Sequence, residues 1–298
     1  MSMTTDIMPA ATPSSFLPAV SREIIQLATP IYALRPLLNT RPFPAGKTFV
    51  FYKQKGARAV GISQTGEGAY TVVDFRDYEI ISYEPPIFTE GIEMSKAFVD
   101  TVQGVIDVWH DQLNSLARRI VYQQEKQVQA ALDAAAGTTI TATGTSLGFT
   151  GTEFTIASSL GQKDILAAKK EIAKANLVAE YLLINPVQEA QLNYLPHYTS
   201  YGYTGENSPT NGVVGEVENL RVVVTTVIPA GTAYVVSTGR NASGAYEPLG
   251  FWIEKSPLMA FYQFDVDRVV HKVRTYYHAG PLITSSASVV KITGMSTG

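Results

Sequence analysis

The stretch that decides the architecture is Met94–Ala136, MSKAFVDTVQGVIDVWHDQLNSLARRIVYQQEKQVQAALDAAA. Phe98, Val102, Val105, Trp109, Leu113, Leu116, Ile120, Val128, Ala131 and Ala135 recur at spacings of three and four, with Gln124 as the one polar interruption. That is the period of an amphipathic helix. Ser95 is placed to cap its start, and Gly137 to end it in the left-handed conformation. Forty-three residues rising 1.5 Å each span roughly 64 Å, about four times the length of a mean globular helix. Gly104 is a place for such a helix to bend. A helix of this length is a strut through a subunit that is broad and thin.

Upstream of the strut the pattern changes to strands. Thr48–Tyr52, Tyr70–Phe75 and Glu79–Tyr83 are β-branched and aromatic runs. A polar, glycine-punctuated stretch (Lys53, Lys55, Gly56, Arg58, Gly61, Gln64, Gly66, Gly68) separates the first two, the composition of a long hairpin. A two-stranded ribbon is marginal in water by itself. Either it packs on this chain's own core or it is supported by another molecule. Earlier still, residues 1–30 carry Pro9, Pro13, Pro18 and Pro30 among Ser, Thr and Ala, with a short helix predicted at Ser21–Leu27. Such a segment is a disordered tail or an arm ordered on a neighbour.

Downstream, Gln162–Ala179 reads as a second amphipathic helix, and Tyr181–Ile184 as a buried strand stopped by Asn185-Pro186, which caps a short helix. A Gly/Asn/Ser/Tyr-rich loop runs from Pro196 to Gly215. Strands follow at Leu220–Val227, Ala233–Val236, Phe251–Ile253, Leu258–Phe264, Arg268–Tyr277 and Ser288–Ile292, with a turn at Gly280-Pro281. The fold class is α+β.

Composition narrows the function. Of 298 residues, 23 Lys+Arg oppose 26 Asp+Glu, a net charge of −3, which argues against a nucleic-acid module with a basic face. Charged residues are 16% against about 25% on average, which points to a large interior or to extensive contact with other copies. Cys is absent, which removes disulfides, thiolate metal sites and cysteine nucleophiles. No run of about 18 apolar residues occurs, and Met1–Pro18 lacks the parts of a secretory signal.

Motifs for chemistry are weak. Gly144-Thr145-Ser146-Leu147-Gly148 fits G-x-S-x-G but lacks the helix start that a nucleophile elbow needs; a hydrolase built on Ser146 is the enzymatic alternative. Asp265, Asp267 and His271 would share one strand face and could hold a divalent ion, although such a face more often meets water. His110, His197 and His278 read as structural. No phosphate loop or dinucleotide fingerprint is present. The residues thus name no catalytic, cofactor-binding or metal site.

The order of elements resembles the major capsid protein of tailed double-stranded-DNA bacteriophages, a fold shared with encapsulin shells and the herpesvirus capsid floor. The resemblance covers nearly the whole chain. It is carried by that order and by three phrases: Ala179–Pro186, Gly205–Val223 and Val269–Val290. It implies residues 1–42 as an N-terminal arm, 43–93 as an extended β-hairpin loop, and 94–160 as a peripheral domain with the spine helix. It further implies 161–265 as an α/β axial domain and 266–298 as the return to the peripheral domain.

Its functional implication is a structural protein, not an enzyme, self-assembling through pentamers and hexamers into an icosahedral shell around double-stranded DNA. The loop would lie across a neighbour and bury Phe49, Phe51, Phe75 and Ile81. Gly91, Gly104 and the loop tip are its candidate hinges, and Pro196–Gly215 would close the rings. Expected partners are a separate scaffolding protein, a portal, a decoration protein and packaged DNA held without sequence-specific contacts, with no membrane and no cofactor. The expected location is the virion, with the host cytoplasm during assembly. Some relatives cross-link a loop lysine to an asparagine near the C-terminal end. Lys53 and Lys55 are in place, but the last asparagine is Asn241, so non-covalent contacts are implied. The alternatives are an encapsulin-type nanocompartment and another virion or appendage protein.

Overall fold

In the computed structural model of the chain, the described residues are 15–16, 24, 26, 32–43, 48–54, 78–97, 99, 108–143, 159–192, 213–239 and 248–297. Its strands and helices, in order, are β1 Ser15–Phe16, β2 Asn39–Pro42, β3 Phe49–Gln54, β4 Tyr78–Tyr83, β5 Ile87–Ser95, α1 Val108–Ala135, β6 Thr138–Thr141 and α2 Gln162–Lys174. There follow β7 Tyr181–Ile184, α3 Pro186–Leu192, β8 Val213–Val217, β9 Leu220–Val224, β10 Ala233–Val236, β11 Gly250–Asp265, β12 Val270–Ile283 and β13 Val289–Thr293.

Helix α1 is the strut, 28 residues long, or about 42 Å. Its buried stripe is Leu113, Leu116, Ala117, Ile120, Val121, Val128 and Leu132, the three-and-four spacing expected of one helical face. Two corrections apply at its ends. Met94 and Ser95 do not begin it: they close strand β5, where Met94 pairs with His271 and faces the core beside Phe88 and Ile92. Residues 96, 97 and 99 are helical, whereas Gly104 lies outside the described residues. At the other end Gly137 is not left-handed. It is needed because Ser286 comes so close that a Cβ would stand 2.7 Å from its carbonyl oxygen.

Two sheets flank this helix. The first has the order β1-β11-β12-β5, with β2 added in parallel to β11. The second is mixed, in the order β6-β13-β10-β7-β9-β8. Strand alternation gives the second sheet two apolar faces. Leu183, Val223, Tyr234, Val236 and Val289 join the core of α1 and the first sheet. Leu182, Ile184, Val222, Val235 and Ile292 face the other way onto Ile165, Ala168 and Ile172 of α2. The sheets draw strands from both sides of the expected domain boundaries. The long β11–β12 hairpin joins β5, while β6 and β13 join β7, β9 and β10.

Helix α2 ends at Lys174, earlier than the expected Ala179. Asn176 is left-handed, with φ 60°. The amides of Asn176 and Leu177 donate to the carbonyls of Ala173 and Ile172, a Schellman closure. Tyr181–Ile184 and the short helix behind it stand where the sequence places them, and the Asn185 carboxamide oxygen accepts the Val187 amide at 3.0 Å.

Strand β11 runs unbroken where two strands are expected, with its register shifted between Glu254 and Met259. Strand β12 passes through Gly280-Pro281 without turning. Residues 266–269 form a hairpin turn between β11 and β12, so Asp267 is not in a strand. Asp265 bonds Lys272 at 2.7 Å and His271 bonds the Tyr262 hydroxyl at 2.7 Å, so Asp265, Asp267 and His271 do not converge on an ion. Among the described residues no cluster of carboxylates and imidazoles could hold a metal, and no helix is long and apolar enough to cross a membrane.

Candidate assembly interface

The ribbon pairs β3 with β4, from Phe49 opposite Tyr83 to Gln54 opposite Tyr78. The partner of β3 is therefore the third expected strand, and Tyr70–Phe75 lies outside the described residues. Pleating sorts the ribbon's side chains into two faces. Phe49, Phe51, Ile81 and Tyr83 turn inward onto Phe251, Ile253 and Leu282 of this same chain. The Phe51 and Phe251 ring centroids are 5.3 Å apart, and Phe43 meets Phe49 edge-on at 5.4 Å. The Arg41 guanidinium lies over the Phe251 ring, 4.2 Å from its centroid.

Three of the four expected contact residues thus have partners within this chain. Phe49, Phe51 and Ile81 are the ribbon's anchor to its own sheet, because their parity matches the apolar patch on the β11–β12 hairpin. Phase along the strand assigns the opposite parity to the outside: Val50, Tyr52 and Ile80 are 43%, 53% and 63% exposed. Phe75, the fourth residue, falls outside the described residues, as do Lys55, Gly104, Ser146, His197, Pro196–Gly212 and Asn241. Gly91, expected as a hinge, is held mid-strand in β5 opposite Arg274.

The arm precedes the ribbon in the chain. Residues 32–38 cross helix α1, and β2 then adds to β11 as far as Phe43, whose amide donates to the Glu254 carbonyl at 2.7 Å. The crossing is fastened by a buried carboxylate. Glu125 accepts the amides of Leu34 at 2.7 Å and Arg35 at 3.0 Å. Arg35 then lies 4.7 Å from the Tyr32 ring and 5.0 Å from the Trp252 ring, and donates to Gln124 and to the Tyr277 hydroxyl. The Trp252 indole N–H also donates to Tyr277, at 2.8 Å.

Burial sets the proton affinities here. Desolvation pushes the Glu125 carboxyl above the usual range, against the lowering pull of the arm amides and Arg35. It likewise raises the phenols of Tyr277 and of Tyr83 at the ribbon root to about 12. Glu125 is the residue the helical reading passed over. Its signal was that two adjacent polar residues, Gln124 and Glu125, stand at the buried phase of α1.

These features hold extended segments on a rigid body and present an apolar ribbon face outward, which is the equipment of a self-associating subunit. No curated protein matches the sequence. Among solved structures, the capsid of cyanophage P-SCSP1u superposes with a TM-score of 0.62 at 12% identity, covering 98% of this chain and 92% of that one. The capsid of a native GTA particle gives 0.62 at 9%, covering 97% and 96%. The holo-SrpI encapsulin complex from Synechococcus elongatus PCC 7942 gives 0.61 at 10%, covering 97% and 93%. At such identities the likeness is one of fold, and the fold is the capsid fold expected from the order of elements. Residues 81–292 match the family described as phage capsid protein, and the chain belongs to that family.

Proposed function

We propose that the chain is a major capsid protein whose copies, grouped in pentamers and hexamers, tile a closed icosahedral shell around double-stranded DNA. The observation that carries this reading is the ribbon with two apolar faces, one packed on its own sheet and the other, at Val50, Tyr52 and Ile80, largely exposed to solvent. Large apolar side chains clustered on an exposed projection mark an interaction surface, and in this family the repeated partner is another copy.

Stability of the shell then comes from many modest contacts. At about 25 cal/mol per Å² of apolar area, each ribbon contributes little and the sum over the shell is large. A net charge of −3 leaves the wall without a basic excess that would hold the genome fast. The chain acts as a building block and not as a catalyst, it works in the virion after assembly in the host cytoplasm, and its other partners are a scaffolding protein, a portal and a decoration protein.

Light scattering and electron microscopy of the purified 32.3 kDa protein test the reading. Closed shells are expected, and a persistent monomer under all ionic conditions would overturn it. The encapsulin reading is kept by the similarity to the SrpI shell. A gene beside a portal and terminase supports the capsid, and one beside a cargo enzyme supports the nanocompartment.

A further inference from the structure

Strand β5 is the end strand of the first sheet, bonded to β12 on one side and, among the described residues, to nothing on the other. The phase of that ladder is set at both ends: Lys96 donates to the Val269 carbonyl and Ala279 donates to the Pro86 carbonyl. In an antiparallel pair, bonded positions alternate. Phe88, Glu90, Ile92 and Met94 therefore turn their amides and carbonyls to β12, and Ile87, Thr89, Gly91 and Glu93 turn theirs outward. These four residues are exposed as well, Ile87 by 55%.

Natural sheets protect an open edge of this length with charged side chains, Lys above all, or with Pro or a bulge, and the two charges on β5 are already neutralised within the chain, Glu90 by Arg119 and Glu93 by Lys272. Ile87–Ser95, IFTEGIEMS, has no Lys and no Pro, and its register with β12 is unbroken over nine residues. Beside the edge, on the α1 side, runs an open groove of about 600 Å³ lined by Glu90 and by Asp111, Ser115, Arg118, Arg119 and Tyr122 of the helix. An added strand would lay alternate side chains into that groove.

We propose that the β5 edge is a strand-addition site for an extended segment of a second copy of this chain. A second copy, and not this chain's own arm, is the occupant because β1 and β2 already seat the arm on β11, with β12 intervening before β5. A strand returning to β5 would have to cross the sheet, which chain connections avoid. The groove carries both signs of charge, Arg118 and Arg119 against Glu90 and Asp111. It suits a partner with the mixed, nearly balanced charge of this same chain. The inference rests on the shell reading above and adds where, and by what backbone chemistry, one copy grips the next.

Amide hydrogen exchange, compared between unassembled subunits and purified shells, tests it. In the subunit the Ile87–Glu93 peptide should show fast exchange at Thr89, Gly91 and Glu93 beside protected Phe88, Glu90 and Ile92, and the fast set should become protected in shells. Thr89→Pro removes one outward donor and leaves the β12 ladder intact, since proline is tolerated on a free edge. It should fold with an unchanged melt and raise the concentration needed for assembly about tenfold or more, while Thr89→Val should assemble like wild type. Thr89→Cys in this cysteine-free chain, cross-linked in shells grown from mixed heavy- and light-isotope subunits, should yield peptides of mixed label. Shells whose edge amides stay fast, a subunit whose edge is already protected, cross-links of one label only, or normal assembly of Thr89→Pro would each overturn the edge site and leave the shell reading standing. Wild-type protein that forms no shells would overturn both.

Discussion

Glu125 of helix α1 accepts the amide of Leu34 at 2.7 Å, tying the arm to the helix across 91 positions of sequence. Because the second carboxylate oxygen takes the Arg35 amide, one side chain satisfies two backbone donors where the arm turns. Glu125→Ala should cost about 2–4 kcal/mol in urea unfolding of the unassembled subunit, since two amides lose their acceptor. Glu125→Gln keeps one acceptor and should cost about 1–2 kcal/mol at neutral pH.

The same carboxyl makes stability depend on pH in a definite sense. Its folded value lies above 4.5, so the folded chain holds the proton more tightly than the unfolded chain. The stabilisation is complete below pH 4.5 and is lost as pH rises through the raised folded value. Wild type should therefore gain on Glu125→Gln as pH is lowered towards 4.5. Paired thermal melts across that window check it, and a gap constant with pH would count against a buried carboxyl.

Tyr83 and Tyr277 bring a second, alkaline dependence. Both phenols are raised from 10.0 to about 12 by burial. Their contribution to stability should hold below pH 10 and fall as pH climbs through about 12. Ultraviolet titration of the native chain should show late phenols that merge with the ordinary set in denaturant, and Tyr83→Phe should remove one of them.

Gly280 is a point of close approach in the first sheet. A Cβ there would strike the Tyr83 hydroxyl and the Pro86 ring, the two groups that lead the ribbon back into β5. Gly280→Ala should destabilise the subunit by about 1–3 kcal/mol through overpacking, measurable by thermal or urea denaturation. Unchanged stability would mean that the ribbon root gives way freely.

At Asn176 the backbone is left-handed. Asn176→Ala should cost about 1 kcal/mol, whereas Asn176→Gly should be neutral or slightly stabilising. Melts of the two variants side by side separate this backbone effect from any loss of side-chain contact.

The two faces of the ribbon should separate folding from assembly. Phe51→Ala opens the contact with Phe251 and should cost the subunit about 2 kcal/mol. Tyr52→Ser with Ile80→Lys, on the exposed face, should shift subunit stability by no more than about 0.5 kcal/mol and still abolish shells by light scattering. Shells formed normally by the double variant would remove that face from the interface.

Particular residues mark where sequence reading succeeds and where it stops. Tyr181–Ile184 was legible because an apolar run closed by Asn-Pro has one sensible reading, and so was the body of α1, whose stripe repeats along the whole helix. Met94 misled because residues four apart share a face in a helix and in a strand alike, so Met94 and Phe98 extend either pattern. Gly280-Pro281 resembles a turn until the Tyr83 and Pro86 side chains that require the glycine are in place. Ser256-Pro257 resembles a break until the register shift in β11 absorbs it. For the interface, composition identified the ribbon, but which parity faces home depended on Phe251, Ile253 and Leu282, far along the chain. Glu125 was hidden by the same kind of distance, for its role exists only once Leu34 and Arg35 arrive.

The parallel pairing of β2 with β11, rung by rung from Asn39–Phe251 to Pro42–Glu254, has a mechanical meaning. A pull along β2 runs crosswise to its bonds with β11, so it loads the whole ladder in shear and does not peel it one rung at a time. Load shared in this way yields only at a high threshold. Any load carried along β2 would thus meet four pairings at once, from Asn39 to Pro42.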